Sequence, residues 1–102
     1  MTLDELTEFF RAVAPAANAL NASIKLDFGE AGCIVIDATS DPVSVSNDSA
    51  EVDTTIHANL ERFGRMLNGE LKGDMEFLMG RLTMEGDLIT GMKVTSLLNR
   101  AG

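Results

Sequence analysis

Ser23-Ile24-Lys25-Leu26-Asp27-Phe28 places an apolar side chain at every second position, with Lys25 and Asp27 between them. A period of two belongs to an extended strand with one dry face and one wet face. Gly29-Glu30-Ala31-Gly32 follows as a turn, and Cys33-Ile34-Val35-Ile36 is apolar at consecutive positions, the pattern of an interior strand. Two such strands need a further apolar layer against their dry face, so the segments on either side must supply it.

Downstream, the turn Ser40-Asp41-Pro42 leads to Val43 and Val45 alternating with Ser44 and Ser46, which predicts a short third strand. Val52, Thr54 and Ile56 then face one way and Asp53, Thr55 and His57 the other, predicting a fourth. Short links between successive strands predict an antiparallel meander. Asn59 is a good N-cap for a helix from about Leu60 to Asn68, in which Leu60, Phe63 and Leu67 keep the helical period until Gly69 breaks it. Lys72-Gly73-Asp74 reads as a turn, Phe77-Leu78-Met79 as an apolar run, and Gly80 to Gly86 as the brackets of a fifth strand with Leu82 and Met84 inward. Asp87 caps a last helix to about Asn99.

Upstream, Leu3, Leu6, Phe10 and Val13 recur at steps of three and four, and Thr2 with Glu5 has capping-box spacing. The chain therefore opens on an amphipathic helix. After Pro15 the Ala-rich stretch to Leu20 is compatible with a short second helix or with a kinked continuation. The expected fold is α+β: one domain over residues 1–102, with a five-stranded, mostly antiparallel sheet whose single dry face is covered by helices from both ends of the chain.

Composition limits the function. With 102 residues, 16 acidic against 8 basic side chains and no Trp or Tyr, the chain lacks the basic, ring-bearing footprint of a nucleic-acid binder. Its net charge of −8 also disfavours tight docking on an anionic membrane. No apolar run approaches the ~20 residues of a bilayer span. A single Cys33 forms no internal disulfide, and the N-terminus has no basic region of a signal peptide, so the expected compartment is the cytoplasm.

Catalytic chemistry has little to work with. Cys33 reads as a small buried hydrophobe, and His57 as a solvated or capping side chain on the polar face of its strand. Asp4-Glu5, Asp27, Asp37 and Asp74-Glu76 read as solvated faces. No HExxH, CxxC, Walker or GxGxxG pattern is present, so no enzyme activity, metal or cofactor is expected.

The methionines say more. Apart from Met1, all of them, namely Met66, Met75, Met79, Met84 and Met92, fall between residues 66 and 92. Methionine is flexible and polarizable and is used where an apolar surface must adapt, although it also fills gaps in ordinary cores. In the last helix Leu88, Ile89, Met92, Val94, Leu97 and Leu98 point nearly all round the axis at ~100° per residue. One sheet face covers only part of that surface, so the rest must meet a ligand, a tunnel wall, a partner chain or a membrane interface.

Taken together, Val52 to Phe63, Met66 to Leu71, Phe77 to Asp87 and Met92-Lys93 resemble the sterol carrier protein type 2 family of lipid-transfer domains. The likeness is strongest over Val52 to Leu98. It implies a sheet and helices enclosing an apolar tunnel for fatty acids, acyl-CoA, phospholipids or sterol- and isoprenoid-like molecules, without catalysis. Carried over residue by residue, it implies that Phe63, Leu67, Phe77, Leu78, Leu82, Met84, Leu88 and Met92 line the lipid site. It also matches Gly69 to the glycine after the long helix and Gly80 to the one before the last strand. Met79 stands where many members have glutamine, and the chain lacks the peroxisomal ending and basic character of the animal carriers, which points to a bacterial-type stand-alone domain. A transient membrane contact, a homodimer, or an accessory module presenting apolar intermediates to a biosynthetic enzyme are further roles compatible with a two-sided helix.

Overall fold

The computed structural model describes residues 1–15 and 20–101, with side-chain packing described through Val94. Its elements run α1 (Leu3–Val13), β1 (Ser23–Asp27), β2 (Cys33–Asp37), β3 (Ser44–Ser46), β4 (Thr54–Ala58), α2 (Leu60–Leu67), α3 (Gly73–Leu78), β5 (Leu82–Gly86) and α4 (Leu88–Ala101). The choice between a second helix and a kink after Pro15 falls on residues 16–19, outside the described residues, as do the side chains of Leu97 and Leu98.

The helix starts follow from local chemistry. Thr2 Oγ1 accepts the Glu5 backbone N–H while the Glu5 carboxylate accepts that of Thr2, completing the capping box. Asn59 accepts the Arg62 N–H at 3.0 Å, and Asp87 accepts the Ile89 N–H and the Thr90 hydroxyl, both at 3.0 Å. Those Thr90 bonds hold the Asp87 carboxyl below its ordinary range.

The sheet order is β3-β2-β1-β4-β5. All neighbours are antiparallel except β1 and β4, which run parallel. This corrects the expected meander: β4 pairs with β1 rather than with β3, and β3 becomes an edge strand. The register is set at the strand entry, where the Asp53 carboxylate accepts the Ser23 N–H at 2.8 Å and the Ser23 hydroxyl at 3.2 Å, and Asp53 N–H donates to the Ser23 carbonyl at 3.1 Å. Gly86 closes the opposite pair at φ 93°, where a Cβ would run into the Asp53 carbonyl oxygen. No other residue tolerates both the dihedral and the approach.

Ile24 and Leu26 of β1, Ile34 and Ile36 of β2, Ile56 of β4 and Leu82 of β5 form the dry face. Leu6 and Phe10 of α1, Phe63, Met66 and Leu67 of α2, and Val94 of α4 pack on it. Helices from both ends of the chain thus cover one face, as expected, and Lys25, Asp27, Thr55 and His57 lie on the other. The expected turn at Lys72-Gly73-Asp74 is a second correction: Gly73 begins a helix that also takes in Phe77 and Leu78.

Candidate functional site

The eight residues expected to line a lipid site fall into two sets. Phe63, Leu67 and Leu82 are buried in the core, with the Phe63 ring 5.4 Å from Phe28 and 6.2 Å from Phe10. Met84 is partly buried against them. Phe77, Leu78, Leu88 and Met92 are exposed, Leu78 at 77% and Met92 at 66%. β5 joins the two sets, because it carries Leu82 and Met84 and both α3 and α4 pack against it. At the crossing of α4 over the sheet, a Cβ on Gly91 would stand 2.5 Å from Met84 Sδ and 3.4 Å from Thr54 Cγ2. The helix backbone therefore lies directly on Met84, whose flexible end would have to shift to admit a larger residue.

Helix α4 buries Thr90, Gly91 and Val94 and leaves Leu88, Ile89 and Met92 in the open. Among the described residues, the side expected to meet a ligand, a tunnel wall, a partner chain or a membrane is thus exposed. Beside it, α3 is inside out. Its buried residues are Gly73 and Glu76, whereas Met75, Phe77, Leu78 and, at the C-cap, Met79 are exposed. An apolar surface normally turns inward because burying it is worth about 25 cal/mol per Å². Here Glu76, only 3% exposed, takes the inward position.

Two arginines make that possible. Arg62 Nε and Nη2 grip Glu76 Oε1 and Oε2 at 2.6 and 2.9 Å, and Arg81 Nη1 stands 3.6 Å from Oε2. The hydrogen bonds from Arg62 hold the Glu76 carboxyl below its ordinary range against the opposing effect of burial. The reading of Asp74-Glu76 as a solvated face is corrected for Glu76. Met75, Met79 and Ile89, marked in the sequence as apolar surface but left out of the expected lipid site, belong to the same exposed surface. The i, i+3, i+4 spacing of Met75, Leu78 and Met79 signals a helix face but does not say which way it turns.

The remaining candidates, Cys33 and His57, stand on different strands. His57 bridges Glu85 at 2.9 Å and Asp27 at 3.4 Å on the outer sheet face. Cys33 is half-buried rather than buried and lies 3.5 Å from the Asn47 carbonyl. Among the described residues no three His, Cys, Asp or Glu side chains are grouped to hold a metal, and no helix is long and apolar enough to cross a membrane. An open groove of about 560 Å³ lined by Lys25, Ser49, Ala50, Glu51, Val52 and Thr55 lies on the outer face and is largely polar.

Against known proteins, the model of the SCP-2 sterol transfer family matches residues 3–99. No curated protein matches the chain in sequence. Palmitated SCP2L2 from Aedes aegypti shares the fold at a TM-score of 0.73 and 17% identity, over 96% of this chain and 95% of that one. Sterol carrier protein domain 2 of Helicoverpa armigera superposes at 0.69 with 19% identity, over 92% and 85%. The UbiJ-SCP2 ubiquinone synthesis protein does so at 0.68 with 12% identity, over 97% and 94%.

Proposed function

Since this chain belongs to the SCP-2 sterol transfer family, we propose that it binds and transfers apolar lipids such as fatty acids, acyl-CoA or sterol- and isoprenoid-like molecules, and that it does so as a single domain without catalysis. Membership of the family implies lipid binding and transfer. The observation that carries it is the continuity of apolar side chains from the core, through Leu82 and Met84 of β5, to Phe77, Leu78, Leu88 and Met92 outside. A chain of methylenes laid along this path gains ~0.8 kcal/mol per CH₂ buried, so affinity needs no directional contact. The lipid displaces water from side chains that are otherwise wet, and α3 and α4 part to admit it.

No side chain in this path is a nucleophile or base, and His57 and Cys33 lie away from it. Transfer should therefore be unchanged in His57→Ala and Cys33→Ala, and no metal or cofactor enters. The unpaired Cys33 is in keeping with a reducing, cytoplasmic setting.

A second reading, a homodimeric or accessory module that presents apolar intermediates to a biosynthetic enzyme, is favoured by the exposed helix faces and by the shared fold of the UbiJ-SCP2 protein. Native mass spectrometry with size-exclusion chromatography after gentle purification decides between them. A monomer carrying co-purified lipid supports the carrier, and an empty dimer overturns it in favour of the module.

A further inference from the structure

Sulfur is the element of a protein that peroxides oxidise most readily, and the fold divides the sulfurs of this chain by exposure. There is one cysteine, and no Trp or Tyr. Cys33 is half-buried and pairs with Asp27 on the outer sheet face, away from the lipid path. Met66 is buried in the core, and Met84 is partly buried with its sulfur under the α4 backbone at Gly91. Met75, Met79 and Met92, by contrast, are 48%, 56% and 66% exposed. Met75 and Met79 stand four residues apart on α3 and its C-cap, hence on one side of that helix, and α3 packs against α4, which carries Met92. Their thioethers open onto the same apolar surface as Phe77, Leu78 and Leu88. Met1 is exposed as well, but it lies against Gly64 of α2.

We propose that Met75, Met79 and Met92 form an oxidation site for hydroperoxides, and that its oxidation lowers the hold of this surface on lipid. The thioether sulfur attacks the outer oxygen of a hydroperoxide R–O–OH and the O–O bond breaks. That oxygen stays on sulfur as a sulfoxide, while the remainder takes up its proton and leaves as the alcohol R–OH, or as water where R is hydrogen. Sulfur gives up two electrons and the peroxide accepts them, so no metal or base is required. A thioether gains by being covered with lipid, whereas a sulfoxide oxygen must give up its hydration. Exposure makes the change one of polarity rather than of fold: at these three positions the added oxygen stands in solvent, where at Met66 it would enter the core. Neither Arg62 nor Glu76 is oxidised, so α3 keeps its apolar side outward throughout. Methionine sulfoxide is returned to methionine by sulfoxide reductases, which makes the change reversible.

The effect on lipid rests on the carrier reading, and the assay separates the two. The intact chain is treated with hydrogen peroxide, the sulfoxides are located by peptide mass spectrometry, and affinity for a fluorescent fatty acid is measured before and after. Met75, Met79 and Met92 are expected to gain oxygen at least about fivefold faster than Met66 and Met84. Fatty-acid affinity should fall about tenfold with the thermal unfolding midpoint unchanged, and sulfoxide reductases should restore it. In a Met75→Leu/Met79→Leu/Met92→Leu variant, compared with its own untreated affinity, peroxide should alter nothing, although Met1 and Cys33 remain. Equal oxidation of exposed and buried methionines overturns the proposal, as does an affinity that survives oxidation of the three or a loss that persists in the leucine variant. So does unfolding in step with the lost affinity, since the sulfoxides would then be damage to the fold. A fatty-acid hydroperoxide as second oxidant separates the two sources of peroxide: a rate that saturates with its concentration assigns the reacting group to the bound ligand, and a rate linear in both oxidants assigns it to free peroxide. Protein that binds no fatty acid before treatment overturns the carrier reading instead, while selective oxidation of the three methionines would still sustain the site.

Discussion

Arg62 and Glu76 face each other through two parallel hydrogen bonds of 2.6 and 2.9 Å, and this pair turns α3 inside out. A bidentate guanidinium–carboxylate contact satisfies both oxygens of a carboxylate that would be costly to bury alone. With the inward position so occupied, the apolar residues of α3 have no remaining place except the surface.

Glu76→Gln keeps the shape and removes the charge, leaving Arg62 against a neutral amide. We expect a loss of about 2 kcal/mol in urea unfolding at pH 7. Because the Glu76 carboxyl lies below its ordinary value of 4.5, its stabilisation is complete above that value and is lost as pH falls through the lower folded-state value. Glu5, Asp37 and Asp87 are lowered in the same direction, so the readout is the difference between wild type and variant. That difference should shrink on acidification below pH 4.5, and a difference independent of pH would refute the assignment.

Two phenylalanines should part company. Phe63 is wholly buried, and Phe63→Ala should cost about 3–5 kcal/mol of stability. Phe77 is half exposed, and Phe77→Ala should change stability by less than about 1 kcal/mol while weakening fatty-acid binding severalfold. Thermal unfolding and a fluorescent fatty-acid displacement assay check the two halves of this statement.

Met92→Glu sets a carboxylate at a 66% exposed position. The free protein should unfold within about 0.5 kcal/mol of wild type, as surface changes usually do. Fatty-acid affinity should fall at least about tenfold, because a lipid laid on this face would have to desolvate the charge. Unchanged affinity in a stable variant removes Met92 from the site.

The two close-packed glycines of β5 and α4 should respond differently to alanine. At Gly86 the obstacle is backbone, the Asp53 carbonyl, and φ is 93°, so Gly86→Ala should cost about 2 kcal/mol or more. At Gly91 the nearest atom is the mobile end of Met84, and alanine also improves helix propensity by about 1 kcal/mol. Gly91→Ala should therefore be the milder change, and differential scanning calorimetry of the pair checks the order.

What the sequence determined by itself is local. The period of two in Ile24, Leu26 and Phe28, the apolar run at Ile34 to Ile36, and the caps at Thr2, Asn59 and Asp87 each rest on groups within a few residues of one another. The five strands and helices α1, α2 and α4 were legible for that reason, and the family likeness added the core members Phe63, Leu67 and Leu82. Only the tertiary structure placed β4 parallel to β1, because the bonds that decide it join Ser23 to Asp53 across 30 residues. It alone decided that α3 exists and faces outward, since the six residues from Gly73 are too few to form a helix unaided and Glu76 finds Arg62 only after α2 has folded back. An amphipathic spacing specifies a face, and which face turns inward depends on the partner that a distant part of the chain brings to it.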